Sequence, residues 1–278
     1  MHFLNISDTM LLSRGIVFVT RAFTVFLLSA LLANTPLLSG VEAESITVAA
    51  AADVAACLDE VNAAFRVLHP TVTITPVLGS SGTLCAQIAN GAPYEVFLSA
   101  DVKYPTALIE KNLADRASLT AYGIGRLVLW TTVPGLDVAR GFVLLDDPLI
   151  AHVAIADPSH APYGAAAQAS LEHAGRWQNV QPRMVLGENV AQAVQFVQSG
   201  NAQVGIVAMS QVLAPKLRGV GTWWEVPMDT YPELRQAAVL TVRGAANPTA
   251  RAYLAFLSTP EARAIFDRFG FRLPDVQP

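Results

Sequence analysis

The 278-residue sequence has few charged residues and no run of Lys and Arg. Charged side chains make up 14% of the chain, and the formal net charge is −4 at pH 7. Domains that bind nucleic acids usually carry a basic face, so we expect no nucleic-acid partner. If the protein binds an anion, local dipoles have to hold it, because the net charge of the chain does not attract it.

The sequence also lacks a long apolar run after its first 43 residues. A membrane-spanning helix needs about 20 consecutive apolar residues, and no later segment reaches that length. Near the start, Arg14 and Arg21 precede FTVFLLSALLANTPLLSG, and Val41-Glu42-Ala43 has the small-x-small pattern of a cleavage site. We predict a secretory signal peptide at residues 1–43, cut after Ala43, and an exported protein. An uncleaved membrane anchor is the alternative.

Cysteine is scarce. The chain contains two cysteines, Cys57 and Cys85. An even number in an oxidising compartment permits a disulfide. Two buried free thiols are the alternative, and the count does not decide between them.

Several catalytic and nucleotide-binding motifs are also missing. No Lys-Ser/Thr pair follows the glycines of GSSGTL as it would in a Walker loop, and neither a dinucleotide-binding spacing nor a G-x-S-x-G elbow occurs. Ser80, Ser81 and His160 invite comparison with a hydrolase triad, but no base lies close to Ser81 in the sequence. His160 in PSHAP is interpreted as a loop histidine. We predict that the protein is not an enzyme, and an exported hydrolase is the alternative of another class.

What the sequence does contain is a repeated alternation of strand and helix. Ile46–Ala51 has the pattern of a strand, Asp53–His69 that of a helix and Val72–Leu78 that of the next strand. The alternation starts afresh at Ala151. This order is typical of doubly wound α/β sheets.

The two series predict two α/β lobes of a usual domain size. Residues 44–123 plus 237–278 are assigned to lobe 1 and residues 124–236 to lobe 2. In this arrangement the C-terminal segment returns to the first sheet, and two hinge crossovers join the lobes.

Four strand-to-helix turns hold the candidate binding residues, since open α/β sheets bind ligands beyond the carboxyl ends of their strands. Helix starts present unpaired N–H groups and the positive end of the helix dipole. Asp53, Ser81 and Asn189 are suitable N-cap residues. None of the turns contains Lys or Arg, so together they would form a site of neutral donors that matches a small, fully ionised oxyanion. Ordinary helix caps that contact no ligand are the alternative. The turns are AAAD at 50–53, GSSG at 79–82, ADPSHAPYG at 156–164 and GENV at 187–190.

Around these turns the sequence reads ITVAAAADVAACLDEVNAAF, GSSGTLCAQIANGAPYEVFLSAD, ADPSHAPYGAAAQASL and GENVAQAVQFVQSGNAQVGIVAMSQ. Together these segments resemble the periplasmic molybdate-binding proteins of ABC transporters, from about Ile46 to Phe271. The resemblance implies the two-lobed periplasmic binding protein fold (type II). It also implies a monomeric periplasmic receptor that captures molybdate or tungstate between its lobes and delivers it to an ABC permease in the inner membrane, with no cofactor.

In that family, hydroxyls and backbone N–H groups at helix starts hold the oxyanion. By position, the resemblance implies Ser81 as a hydroxyl and N–H donor, and Tyr163 and Val190 as backbone N–H donors. Asp53 stands where the family usually has Ser or Asn. Ala208 stands where it often has a Tyr donor, so that donor is missing or replaced, and the hydroxyl of Tyr163 is one candidate replacement.

Asp53 is the departure with the largest consequence, because an ionised carboxylate repels a dianion. In one interpretation its side chain turns back as an N-cap onto the N–H groups near Ala55 and Ala56. In the other it accepts a proton carried by the ligand, which favours hydrogen phosphate over molybdate. A receptor for phosphate or sulfate is therefore the alternative within the binding class.

The implied site also bears on the cysteines. Cys57 lies four residues after Asp53, and Cys85 four residues after Ser81. If both helix starts converge on one anion, the two cysteines come within the distance that a disulfide requires, unless the helices splay apart.

Overall fold

A computed structural model of the protein describes residues 44–274. The predicted signal peptide, residues 1–43, lies outside this range. The described chain forms two five-stranded sheets. In chain order the strands are β1 (Ser45–Ala51), β2 (Thr73–Gly79), β3 (Val96–Ser99), β4 (Thr120–Gly125), β5 (Leu127–Thr131), β6 (Val153–Ala156), β7 (Met184–Gly187), β8 (Val204–Ala208), β9 (Thr222–Glu225) and β10 (Leu234–Leu240).

The two sheets share one plan. The first has the order β2-β1-β3-β10-β4, with β1 parallel to its neighbours and β10 antiparallel to its own. The second has the order β7-β6-β8-β5-β9, with β6 parallel and β5 antiparallel to their neighbours. The predicted two-lobed α/β fold is confirmed, and each sheet is mixed. The strands β5 and β10 are the antiparallel strands, and the chain reaches each of them directly from the other sheet. Parallel strands of one sheet need a crossover, usually a helix, whereas antiparallel strands do not.

The chain crosses between the sheets twice. It passes from β4 to β5 between Gly125 and Leu127, and it returns from β9 to β10 between Glu225 and Leu234. We call the part built on the first sheet lobe 1 and the part built on the second sheet lobe 2. The residue boundaries 123/124 and 236/237 stay predictions.

Helices follow most of the strands. Within residues 44–274, none of them is both long enough and apolar enough to cross a bilayer. The helices are α1 (Ala55–Leu68), α2 (Ser81–Ala89), α3 (Lys103–Glu110), α4 (Pro162–His173), α5 (Trp177–Val180), α6 (Val190–Gln198), α7 (Met209–Val212), α8 (Val242–Ala246), α9 (Pro248–Phe256) and α10 (Pro260–Arg268).

Strand β1 explains why the two cysteines do not meet. Successive strand residues point to opposite faces of a sheet. Val48 packs with Cys57 of α1 in one hydrophobic cluster, whereas Ala49 belongs to a second cluster, against which Cys85 of α2 packs. Both cysteines are free thiols. The disulfide alternative is therefore wrong, because the first sheet separates the two helices.

Candidate functional site

The four predicted turns meet in one pocket between the two lobes. Lobe 1 contributes the 3-10 turn Ala52–Val54 after β1 and the start of α2 after β2, and lobe 2 contributes the starts of α4 and α6 after β6 and β7. The pocket is lined by Ala51, Ala52, Asp53, Gly79, Ser80, Ser81, Ala100, Ala161, Pro162, Tyr163, Asn189 and Val190. All four residues predicted to contact the anion, Asp53, Ser81, Tyr163 and Val190, therefore line the same pocket.

The pocket is small, and the first turns of three helices contribute to its wall. Its cavity volume is about 10 Å³, far below the roughly 300–1,000 Å³ typical of sites for drug-sized ligands. Ser81, Tyr163 and Val190 lie in the first turns of α2, α4 and α6, where backbone N–H groups have no partner within the helix. None of the described lining residues is Lys, Arg or His. The arrangement suits an anion of few heavy atoms.

Ser81 is completely buried at the wall of the pocket, with 0% of its surface exposed. Its Oγ accepts a hydrogen bond from the backbone N–H of Ala100 at 2.9 Å. A hydroxyl that accepts one bond retains its own proton as a donor. The N-cap of α2 is Ser80 rather than Ser81, because the Oγ of Ser80 accepts from the N–H of Thr83. Ser81 is thus left free of the capping role.

Asp53 does not act as an N-cap, contrary to one of the two interpretations above: α1 begins without a side-chain cap. Its Oδ2 instead accepts a hydrogen bond from Nε2 of Gln236 at 2.6 Å. Oδ1 is buried and has no hydrogen-bond partner among residues 44–274. Gln236 lies on β10, 183 residues away in the sequence, and no local pattern pointed to it.

The carboxyl of Asp53 titrates well above its ordinary range. Burial raises the pKa of Asp53 from 3.8 to about 6, because the charged form loses its hydration. The side chains of Gln236 and Tyr163 oppose the shift, as do the backbone N–H groups of Asp53 and Val54. Desolvation is the larger effect, so this carboxyl changes charge near neutral pH.

The hydroxyl of Tyr163 belongs to the same buried group. It accepts a hydrogen bond from Nε2 of Gln236 at 3.1 Å, and burial together with the nearby Asp53 raises the pKa of Tyr163 well above its usual range. Gly125 faces this hydroxyl so closely that an added Cβ would lie 2.3 Å from its oxygen. The ring of Tyr163 thereby links lobe 2 to Asp53 and Gln236 of lobe 1.

Lobe 2 contacts the Asp53 turn from a second element. The side chain of Ser210 donates to the carbonyl of Asp53 at 2.7 Å, and that of Gln211 donates to the carbonyl of Ala52 at 3.2 Å. Both donors belong to α7, directly after Ala208, which is fully buried at the end of β8. Sequence reasoning missed both residues, although they stand next to the position where a Tyr donor was sought.

His160 joins the lobes on the other side of the pocket. Its carbonyl accepts from the N–H of Gly82 at 2.9 Å and from the hydroxyl of Tyr104 at 3.3 Å, and its Nδ1 lies 2.8 Å from the Oγ of Ser80. The loop histidine predicted from the sequence therefore takes part in contacts between the lobes. The two lobes are therefore in contact through α7 and through His160.

Asn189 completes the second half of the pocket. Its Oδ1 accepts from the N–H groups of Ala191 and Gln192, so it caps α6 as predicted. The N–H of Val190, the first residue of that helix, stays outside this capping arrangement. Val190 is itself buried, and it lines the pocket.

Comparison with known proteins places this geometry in a family. The family model for bacterial extracellular solute-binding proteins matches residues 46–272. The molybdate-binding protein ModA of Rhodobacter capsulatus is 44% identical over 72% of this chain and 77% of its own length. ModA of Azotobacter vinelandii is 39% identical over 84% of this chain and 91% of its own.

A solved structure supports the same relationship. The periplasmic molybdate-binding protein of Azotobacter vinelandii superposes with a TM-score of 0.77 at 34% identity, covering 82% of this chain and 99% of that one. The resemblance found in the sequence motifs is thereby confirmed. The chain belongs to the bacterial extracellular solute-binding proteins, in the group that contains the molybdate-binding proteins of Rhodobacter capsulatus and Azotobacter vinelandii.

Proposed function

We propose that this protein is a periplasmic receptor that captures molybdate or tungstate between its two lobes and delivers it to an ABC permease in the inner membrane. It binds the anion without converting it chemically, needs no cofactor and acts as a monomer. Residues 1–43 direct its export. Ser81, Tyr163, Val190 and Asp53 form the oxyanion site.

One observation carries the proposal: turns from both lobes converge on one small pocket whose described lining residues include no Lys, Arg or His. Starts of helices α2, α4 and α6 direct their positive ends to one point, which favours an anion without any Lys or Arg. Because the two halves of the site belong to different lobes, the anion is fully surrounded when the lobes are closed. Closure that depends on the ligand is what a transport receptor requires.

The choice of molybdate or tungstate depends on two supports. The relatives at 39–44% identity are molybdate-binding proteins. In addition, a site made of donors favours an anion whose oxygens all accept, because a hydroxyl on the ligand would be left without an acceptor. Both supports favour fully ionised tetrahedral oxyanions.

Asp53 supports the second candidate, a receptor for phosphate. Its Oδ1 is an acceptor without a partner in the described part of the chain, and hydrogen phosphate carries a proton that such an acceptor would bind. Sulfate has no such proton and gains nothing from Asp53. A phosphate receptor would therefore use this carboxyl oxygen as an acceptor.

The contact between Ser80 and His160 is the observation that a hydrolase would use, with Asp157 Oδ2 3.7 Å from the other ring nitrogen of His160. The same Ser80 oxygen accepts from Thr83 as the cap of α2, and Ser80 is only 4% exposed. A capped and buried hydroxyl is poorly placed to attack a substrate. We therefore assign the contact to closure of the lobes.

Isothermal titration calorimetry with molybdate, tungstate, sulfate and phosphate tests the proposal. We expect micromolar or tighter binding of molybdate and tungstate, with one anion per chain, and much weaker binding of sulfate and phosphate. Tight phosphate binding without molybdate binding would replace the proposed ligand. Turnover of simple esters or phosphoesters by the purified protein would contradict a purely binding role.

Replacing Ser81 with Ala should weaken molybdate binding by about 30-fold, because a hydrogen bond to a charged group contributes about 1.5–3 kcal/mol. Calorimetry on wild type and variant measures the change. Ser258→Ala is the matched control, since Ser258 is exposed and lies outside the pocket lining, and its affinity should equal that of wild type. Equal affinities for Ser81→Ala and wild type would remove the Ser81 hydroxyl from the site.

A further inference from the structure

One group at the pocket wall contrasts with the donors around it. Asp53 is 1% exposed, and its Oδ1 has no hydrogen-bond partner among the described residues. Buried polar atoms are rarely left unpaired. An anion in this pocket supplies only acceptor oxygens, and an ionised carboxylate supplies only acceptors as well, so the two cannot pair unless a proton lies between them.

The hydrogen bond on the other carboxyl oxygen shows where that proton fits. Oδ2 of Asp53 accepts from Nε2 of Gln236 at 2.6 Å, which is the role of the carbonyl oxygen in a protonated carboxylic acid. Oδ1 is then the hydroxyl oxygen of a residue that lines the pocket, and its proton is available to a ligand there. In this form Asp53 joins Ser81 and the helix N–H groups as a further donor to the ligand.

We propose that Asp53 binds the oxyanion in its protonated form through the Oδ1 hydroxyl, so that capture of each anion takes up one proton from solvent. The inference rests on the proposed function, because it takes a fully ionised oxyanion as the ligand. Asp53 then acts as a specificity residue: an acid that donates leaves the hydroxyl of hydrogen phosphate without an acceptor.

Among residues 44–274, no positively charged group near Asp53 offsets the charge of its carboxylate. The titratable side chains that face it are Cys57 from α1, Tyr122 from β4 and Tyr163 from α4, and burial raises the pKa of each of these groups well above its usual range. All three are therefore neutral. β10 and α7 present the uncharged Gln236, Ser210 and Gln211. The described lining residues of the pocket include no Lys, Arg or His. Protonation of Asp53 is therefore what removes the repulsion between its carboxylate and the bound anion.

Burial already prepares Asp53 for this role before the anion enters, since it raises the pKa to about 6. The anion then raises the pKa further, because a nearby negative charge disfavours the ionised form. By linkage, the affinity falls about tenfold for each pH unit above the pKa of the ligand-free protein, where each bound anion has to bring in a whole proton.

The test is calorimetry with molybdate between about pH 6.5 and pH 8.5, in pairs of buffers whose ionisation enthalpies differ. We expect close to one proton taken up per anion at the upper end, and an affinity that falls by close to a hundredfold across the range. Asp53→Asn should abolish both effects, because its side-chain amide donates at every pH. Glu110→Gln removes an exposed carboxylate at the end of α3, outside the pocket lining, and should keep both.

The outcomes separate the two proposals. Tight molybdate binding that is independent of pH in the wild type, without proton uptake, overturns the role of Asp53 and leaves the proposed function intact. A folded protein, as judged by circular dichroism, that binds neither molybdate nor tungstate at any pH overturns the proposed function. Phosphate binding that Asp53→Asn abolishes overturns both, because Asp53 then acts as an acceptor.

Discussion

Replacing Asp53 with Asn is expected to stabilise the ligand-free protein by about 3 kcal/mol at pH 8 and by less than about 1 kcal/mol at pH 4. Burial raises the pKa of Asp53 from 3.8 to about 6, so the folded protein holds this proton more tightly than the unfolded chain does. The contribution of Asp53 to stability therefore falls as the pH rises from about 4 to about 6, and this loss persists at higher pH. Asn carries no charge at either pH and keeps an oxygen that accepts from Gln236.

Urea unfolding of both proteins without ligand, at the two pH values, measures this difference. Other carboxylates titrate over the same range in both proteins, so they cancel in the comparison. Glu188→Gln, which removes an exposed carboxylate, should differ little from wild type at either pH. Equal stability of Asp53→Asn and wild type at pH 8 would contradict the raised pKa, and so would a gain of the same size at both pH values.

Replacing Gly82 with Ala is expected to weaken molybdate binding by about a hundredfold. Gly82 lies in the first turn of α2, and a Cβ at this position would come within 2.6 Å of the backbone carbonyl oxygen of His160 in lobe 2. The same carbonyl accepts the hydrogen bond from the N–H of Gly82 at 2.9 Å. Overpacking costs about 1–3 kcal/mol, and the lost hydrogen bond adds about 1 kcal/mol. This cost arises only when the lobes are closed, because Gly82 belongs to lobe 1 and His160 belongs to lobe 2.

Comparing affinity with stability isolates this effect. In lobe 1 alone the added methyl group should be neutral or slightly stabilising, because Ala is favoured over Gly within a helix by about 0.5–1 kcal/mol. We therefore expect the ligand-free variant to unfold at the same urea concentration as wild type or a higher one, while calorimetry reports weaker binding. Loss of stability in parallel with affinity would point to damage within lobe 1. Unchanged affinity would show that Gly82 and His160 do not approach each other in the bound state.

Local signals account for much of the fold and of the pocket. The alternation of strand and helix predicted two α/β lobes, since side-chain periodicity is a property of neighbouring residues. The same signals located the turns that hold Ser81, Tyr163 and Val190, because parallel strands direct their carboxyl ends to one edge of a sheet. They placed the N-cap of α2 one residue too late, at Ser81: Ser80 is an equally suitable cap by type, and in the structure Ser80 is the cap.

By itself, then, the sequence determined the fold class and which turns supply the candidate site, because strand and helix periodicity and turn chemistry act over a few residues. Only the tertiary structure decided what Asp53 does, because its partner Gln236 arrives on β10 from 183 residues away. It also decided that the first sheet separates Cys57 from Cys85 and that His160 meets Ser80 across the lobes. Such contacts join segments far apart in the chain, and they depend on how the sheets and helices pack rather than on any local pattern.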